Sequence, residues 1–229
     1  LLTLFAPGGL EKELASLGFA NAADKLASFR LQPSQLTGDS IKQFILSLGL
    51  SSEAVLALGG RVNGSHLKLW LRQLIRQLPN QSMISSLLDA ALMDMEAGQI
   101  DSLQHSQQKE FSFGFVLPFV SDEPVEVDLH RSREGEDLES RWTINVHLMT
   151  EALGELWLKS ELTNNTVDMT VWARERDTVN LIRSNIAELE VELDLLSFSL
   201  ASFNIFNAAR PGNELPGRHF PGDVVNHTA

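Results

Sequence analysis

With 229 residues the chain is long enough for one large domain or two small ones, each able to bury a core of its own. A 43% hydrophobic and 21% charged composition is that of a folding globular protein and excludes a disordered chain, while thirty acidic against eighteen basic residues, a formal charge of −12, argue against nucleic acid as a partner because such a surface repels phosphate backbones. The absence of cysteine excludes a disulfide framework and a thiolate metal site, and suits either a reducing cytosol or a chain that crosses membranes unfolded.

No apolar run approaches the roughly 20 residues of a membrane-spanning helix, so no membrane insertion is expected. A start on Leu1-Leu2-Thr3 instead of Met reads as a fragment of a longer protein. Helical spacing then dominates as far as Gln108. Short helices are predicted over residues 10–17, 22–29 and 40–48, separated by Gly, Pro and Asn. Leu67, Trp70, Leu71, Leu74, Ile75 and Leu78 form one continuous apolar stripe, with Ser65 placed to cap its start and Pro79 to end it. A longer helix follows over residues 82–105 through Ile84, Leu88, Ala91, Met95 and Leu103, with fraying or a kink expected at Gly98, which costs about 1 kcal/mol relative to Ala. Residues 1–108 are thus predicted to be a helical domain.

After Lys109 the period falls to two. Phe111, Phe113, Phe115, Leu117 and Phe119 mark a first strand, which Pro118 confines to a sheet edge because it cannot donate to a ladder. Val125, Val127 and Leu129 mark a second strand, and Trp142, Ile144, Val146 and Leu148 a third, with residues 133–140 expected as a mobile loop between them. Strands over residues 155–162 and 166–174 flank Asn164-Asn165, residues suited to a two-residue type I′ turn. That turn fixes the register. Leu162, Ser160, Leu158 and Leu156 then face Val167, Met169, Val171 and Ala173 on the core side. On the other side Trp157 stands opposite Trp172, with Glu155 opposite Arg174 and Lys159 opposite Thr170.

Residues 177–196 return to a helical period through Val179, Ile182, Ile186, Leu189, Leu193 and Leu196, with Asp177 suited to cap the start. A last strand carries Phe198, Leu200, Phe203, Ile205 and Phe206, and the Pro-Gly-rich residues 208–229 read as a mobile tail. The predicted fold is α+β: an N-terminal helical bundle, then over residues 109–207 a mostly antiparallel sheet packed on one long amphipathic helix.

The sequence offers little to catalysis. His66, His105, His130 and His147 show no metal-ligand spacing, and neither a G-x-S-x-G elbow nor a phosphate-binding glycine loop occurs. Leu58-Gly59-Gly60-Arg61 lacks a preceding strand and reads as a helix terminus. Glu188, Glu190, Glu192 and Asp194 read as a solvated helix face, since acid–base chemistry needs two carboxylates held in one pocket. Lys68, Arg72 and Arg76 form a basic stripe, read as a solvated flank before a docking site for acidic proteins. A binding module is therefore expected, with no cofactor, no metal and no catalytic residue. Its candidate partner-binding residues are Trp157 and Trp172 with Glu155 and Arg174, because paired indoles serve hairpin stability and interface recognition alike.

The run from His147 to Leu158, with Glu151, Leu153 and Gly154 at its centre, followed by Thr166-Val167-Asp168-Met169-Thr170-Val171, resembles the C-terminal motif of the flagellar hook-length control family, in which a P-E-x-L-G turn joins two strands. The later helix with Leu181, Ile186, Leu189 and Leu193 and the ending Phe203-Asn204-Ile205 follow the same order of elements, so the resemblance spans residues 142–206. A looser likeness over residues 41–50, 66–78 and 87–103 is to the helical region that precedes this domain in longer members. Thr150 stands where that family usually has proline, and Leu196-Ser197 where it has glycine after the long helix. Gly154 is expected to permit a tight start of the strand and Leu153 to fill the core. The resemblance implies a type III export substrate-specificity-switch domain. Such a protein works from the bacterial cytoplasm, is itself exported through the flagellar apparatus, controls hook length and contacts the cytoplasmic switch domain of the export gate. Hook or hook-cap proteins are further expected partners. The injectisome needle-length regulators, which share the domain, and an unrelated protein-binding or assembly module are the alternative readings.

Overall fold

The computed structural model describes residues 1–49, 66–78, 82–107, 111–120, 122–134 and 139–211. Among them the chain forms α1 (Leu2–Phe5), α2 (Leu10–Ser16), α3 (Ala20–Ala27), a 3-10 turn (Pro33–Gln35), α4 (Gly38–Ser47), α5 (Leu67–Gln77) and α6 (Met83–Gln107). Six strands follow, β1 (Phe111–Leu117), β2 (Val125–Glu134), β3 (Glu139–Thr150), β4 (Gly154–Thr163), β5 (Thr166–Ala173) and β6 (Ser199–Phe206), with α7 (Arg176–Leu195) between the last two. The strands lie in chain order in one sheet, antiparallel from β1 to β5 and parallel only between β5 and β6. This is the α+β arrangement expected from the change of period, with Pro118 following a strand that does lie at the edge.

The helices form where the apolar spacing places them, and side chains mark their starts. Thr37 and Ser40 make a reciprocal capping box at α4, and Ser82 accepts from the Ser85 amide at 3.0 Å ahead of α6, each satisfying an orphan backbone donor. α6 runs through Gly98 to Gln107. His66 occupies the N-cap position of α5; Ser65, Pro79 and the Leu58-Arg61 segment lie outside the described residues. α1 was not foreseen, since four residues are too few to show a helical period.

Phe5, Leu14, Leu26, Leu71 and Leu88 are fully buried and belong to one cluster with Phe115, Leu117 and Val127 of the sheet, against which Leu129, Ile144 and Val146 also pack. The helical part therefore covers the β1–β3 end of one sheet face. Towards the other edge, Val167, Val171 and Ala173 of β5 are buried, as is Val179 of α7, which packs on β5 and β6. Burial of each such side chain stabilises by about 1.5–3 kcal/mol, so this face decides the register of the sheet.

Four local expectations need correction. Arg133 pairs with Ser140 and Glu134 with Glu139, so the hairpin ladder of β2 and β3 extends into the segment expected as a loop; regular pairing prevails over its polar composition. At the β4–β5 reversal only Asn164 has positive φ, 53°, whereas a type I′ turn requires it at both central residues. Asn165 instead serves the α7–β6 junction, its side chain donating to the Ser197 carbonyl at 2.7 Å and its own carbonyl accepting from the Ser199 amide at 2.8 Å. Glu175, not Asp177, holds the N-cap position of α7, and Asp177 sits in the first turn, where its charge complements the helix dipole. Leu196, the last member of the expected stripe, lies beyond the helix and is 68% exposed.

A buried arginine joins the helical part to the sheet. Arg30, just after α3, pairs with Glu11 of α2 at 2.7 Å and donates to the carbonyls of Phe5 at 3.0 Å and Phe119 at 2.9 Å. Beside it Leu31 and Phe119 form a parallel bridge through Leu31 N to Pro118 O and Val120 N to Leu31 O. Arg30→Ala leaves the Glu11 carboxylate and the carbonyls of Phe5, Ala6 and Phe119 without this donor, and should destabilise the protein by about 3 kcal/mol. Arg30→Lys should recover only part of that, because an ammonium cannot reproduce the planar fork. Chemical denaturation of the three proteins checks the order.

Candidate partner-binding face

The site is built by two successive registers. In the β4–β5 hairpin opposite residues sum to 329, which sets Trp157 against Trp172 as the sequence predicts, and Glu155 Oε2 meets Arg174 Nε at 2.7 Å beside them. In the β3–β4 hairpin a three-residue turn over Glu151, Ala152 and Leu153 leaves Thr150 opposite Gly154, which brings His147 against Trp157. The two rings stack with centroids 3.9 Å apart and planes 13° from parallel. His147 Nδ1 lies 2.9 Å from Glu126 of β2, and its Nε2 lies 3.6 Å from Glu155, which also accepts from the Trp157 indole N–H at 3.3 Å. On the far side Trp172 stacks on Phe206 of β6, centroids 6.1 Å apart. The result is a row of rings, His147, Trp157, Trp172 and Phe206, crossing four strands on the face opposite the core.

Both tryptophans are half-buried. What lies over them is Arg210, whose guanidinium carbon is 5.0 Å from the Trp157 ring centroid and 5.6 Å from that of Trp172. A cation above an indole face is attracted by the ring quadrupole, so the pair holds Arg210 of its own chain in place.

The turn that sets the second register explains its residue types. Gly154 has φ +67°, and a Cβ there would stand 2.8 Å from Glu175 Cγ, so the position excludes a side chain both by conformation and by space. Thr150 Oγ1 accepts from the Leu153 amide at 3.0 Å, a bond proline could not make, and Thr178 Oγ1 donates to the Leu153 carbonyl at 2.7 Å. Leu153 is half-buried and held chiefly through its backbone, while Glu151 is exposed. After α7, Ser197 takes φ +65° in the left-handed position usual for glycine, with Phe198 N bonded to Leu193 O and Ser197 N to Asp194 O, the two bonds of a Schellman cap.

Other candidates resolve differently. Arg72 pairs with Glu96 of α6, and Lys68 lies 3.8 Å from the same carboxylate, so two members of the basic stripe face the protein itself while Arg76 is exposed. The Arg72 hydrogen bond holds the Glu96 carboxyl below the ordinary carboxylate range. Glu188, Glu190, Glu192 and Asp194 are all exposed on α7. Among the described residues no group of three or more His, Cys, Asp or Glu is placed to hold a metal ion, and no helix is long and apolar enough to cross a membrane. A cleft of about 330 Å³ between α1 and the end of β3 is lined mainly by Leu2, Ala6, Pro124 and Leu148, with Thr3, Glu123 and His147 as polar residues.

Sequence reasoning named four members of the face, Trp157, Trp172, Glu155 and Arg174, and missed Glu126, Phe206 and Arg210 and the role of His147. A three-residue turn read from Glu151 to Leu153 would have placed His147. The parallel register of β6 has no such signal, because a whole helix separates it from β5 and a bulge interrupts the pairing at Val167 and Asp168.

Fold and face together define a class: an α+β domain of antiparallel hairpins closed by one crossover helix, with an aromatic row flanked by charge on the sheet face away from the core. Residues 130–214, which supply most of that face, match the family described as flagellar hook-length control protein FliK, a match that supports a role connected with flagellar hook-length control in general. No curated protein and no solved structure matches the chain.

Gly154→Ala should lower stability by about 1–3 kcal/mol through left-handed strain and the Glu175 contact, and Ser197→Gly should raise it by about 1 kcal/mol by relieving the same strain without a new contact. Thermal unfolding of both variants checks the opposite signs.

Proposed function

We propose that the chain regulates flagellar type III export, controlling hook length and switching export from hook to filament subunits when its aromatic face docks on the cytoplasmic switch domain of the export gate. The observation that carries this reading is the coincidence of the family match over residues 130–214 with the Trp157 and Trp172 row, a surface of large flat side chains away from the core. Indoles at the centre of a docked patch bury much area with few rotors to immobilise, which suits them to carry binding energy. The flanking Glu155 and Arg174 supply polar groups of both signs at the rim, where charge selects among partners. On this reading the protein acts as a binding module, not an enzyme. It works in the bacterial cytoplasm before being exported itself, and residues 109–207 form the switch domain with residues 1–108 as a separate helical domain. The match is to a flagellar family, which sets this reading ahead of a needle-length regulator.

A pull-down of the full chain by the cytoplasmic domain of the export gate tests the proposal. Trp157→Ala and Trp172→Ala should each weaken capture about tenfold or more, with circular dichroism unchanged. Undiminished capture by both variants removes this face as the docking site, and no capture of the unaltered chain removes the gate as the partner.

A further inference from the structure

The chain does not leave the sheet when β6 ends. Asn207 donates from its side chain to the carbonyls of Ala173 at 3.0 Å and Arg174 at 2.8 Å, tying the segment to the end of β5. Three residues later Arg210 reaches back over β5 and β4, lies above Trp172 and Trp157, and donates to Asn145 Oδ1 of β3 at 3.4 Å. Asn145 is 7% exposed, so its amide oxygen is a fixed acceptor at the floor of the face. Two indole rings within about 6 Å of the guanidinium carbon and a carbonyl acceptor within reach of its edge suit a guanidinium, which can stack through its flat face while donating from its edge. An ammonium gains from the ring quadrupole but has no plane to stack.

We propose that the Trp157 and Trp172 face is an arginine-recognition site, held closed in cis by Arg210 and opened when an arginine-bearing peptide segment of a partner takes the place of that guanidinium. This rests on the reading of the face as a docking surface. The seated Arg210 shows the chemistry the site accepts, and the formal charge of −12 favours approach of a basic segment over an acidic one. The Asn207 tether gives Arg210 the advantage of an intramolecular ligand, so a free peptide competes against a high local concentration. The segment after β6 then acts as a selectivity filter, since a weakly bound basic peptide cannot displace it.

The test uses the full chain and the blocked peptide Asn-Ala-Ala-Arg-Pro-Gly-Asn, which copies residues 207–213. Binding is followed through the indole N–H resonances of Trp157 and Trp172, with Trp70 and Trp142 as internal references. In the absence of peptide, Arg210→Ala should move the first two resonances and leave the references in place. The peptide should then bind the Arg210→Ala chain about tenfold more tightly than the unaltered chain. The same peptide with Lys for Arg should bind more weakly despite equal charge. Equal affinity for both chains overturns the closure in cis, and an equal response to the Lys peptide overturns guanidinium recognition. If the peptide results hold but the export-gate domain binds neither chain, the arginine site stands and the partner reading fails. If the gate domain binds through the tryptophans while the peptide results fail, the reverse is true.

Discussion

The two-residue reversal at Asn164 and Asn165 is the constraint on which the rest of the functional face depends. Side chains alternate across a strand, so a slip of β5 by one residue would turn Val167, Val171 and Ala173 to solvent and Trp172 into the core. Magnitudes show which set of side chains enforces the alignment. Burying the aliphatic residues contributes on the order of 1.5–3 kcal/mol apiece, whereas a cross-strand aromatic pair contributes about 0.2–1 kcal/mol. The core side specifies the register, and the tryptophans ride on it, facing away from the core.

The neighbouring reversal extends the same logic by one strand. Gly154, with φ +67° and no room for a Cβ, lets a three-residue turn close, and the register it imposes brings His147 flat against Trp157. Beyond β5, the crossover helix ends in a Schellman cap at Ser197 and returns the chain as β6, which completes the row with Phe206. Asn165 links the two ends of the construction, because it belongs to the β4–β5 turn and also holds the Ser197 to Ser199 junction. Turn residues in this domain thus position side chains that lie several strands apart.

Much of this was legible in the sequence wherever the cause is local. The period change after Lys109, the alternation of Leu156 to Leu162 against Val167 to Ala173, and the two-residue spacing of the hairpin lead directly to the Trp157 and Trp172 pairing. The φ of Asn165 was not legible, because the junction that engages it lies more than thirty residues further along the chain. Arg210 was hidden for a similar reason: a lone arginine in a Pro-Gly-rich stretch has no periodicity, and its place follows only from where Asn207 fastens the chain. The family motif shows the same division. Its Glu151, Leu153 and Gly154 are turn residues that set a register, while the face they align is assembled from side chains outside the motif.

What specifies the fold and what is proposed to bind are thus different sets of side chains. Aliphatic burial and two tight reversals build the sheet within residues 130–214, the part that matches the hook-length control family, and the side chains placed outward are those proposed to carry the function. Hook length measured by electron microscopy in cells that carry Trp157→Ala together with Trp172→Ala, at normal protein abundance, tests this most directly. The account predicts hooks of uncontrolled length and few filaments; hooks of ordinary length bearing filaments would contradict it.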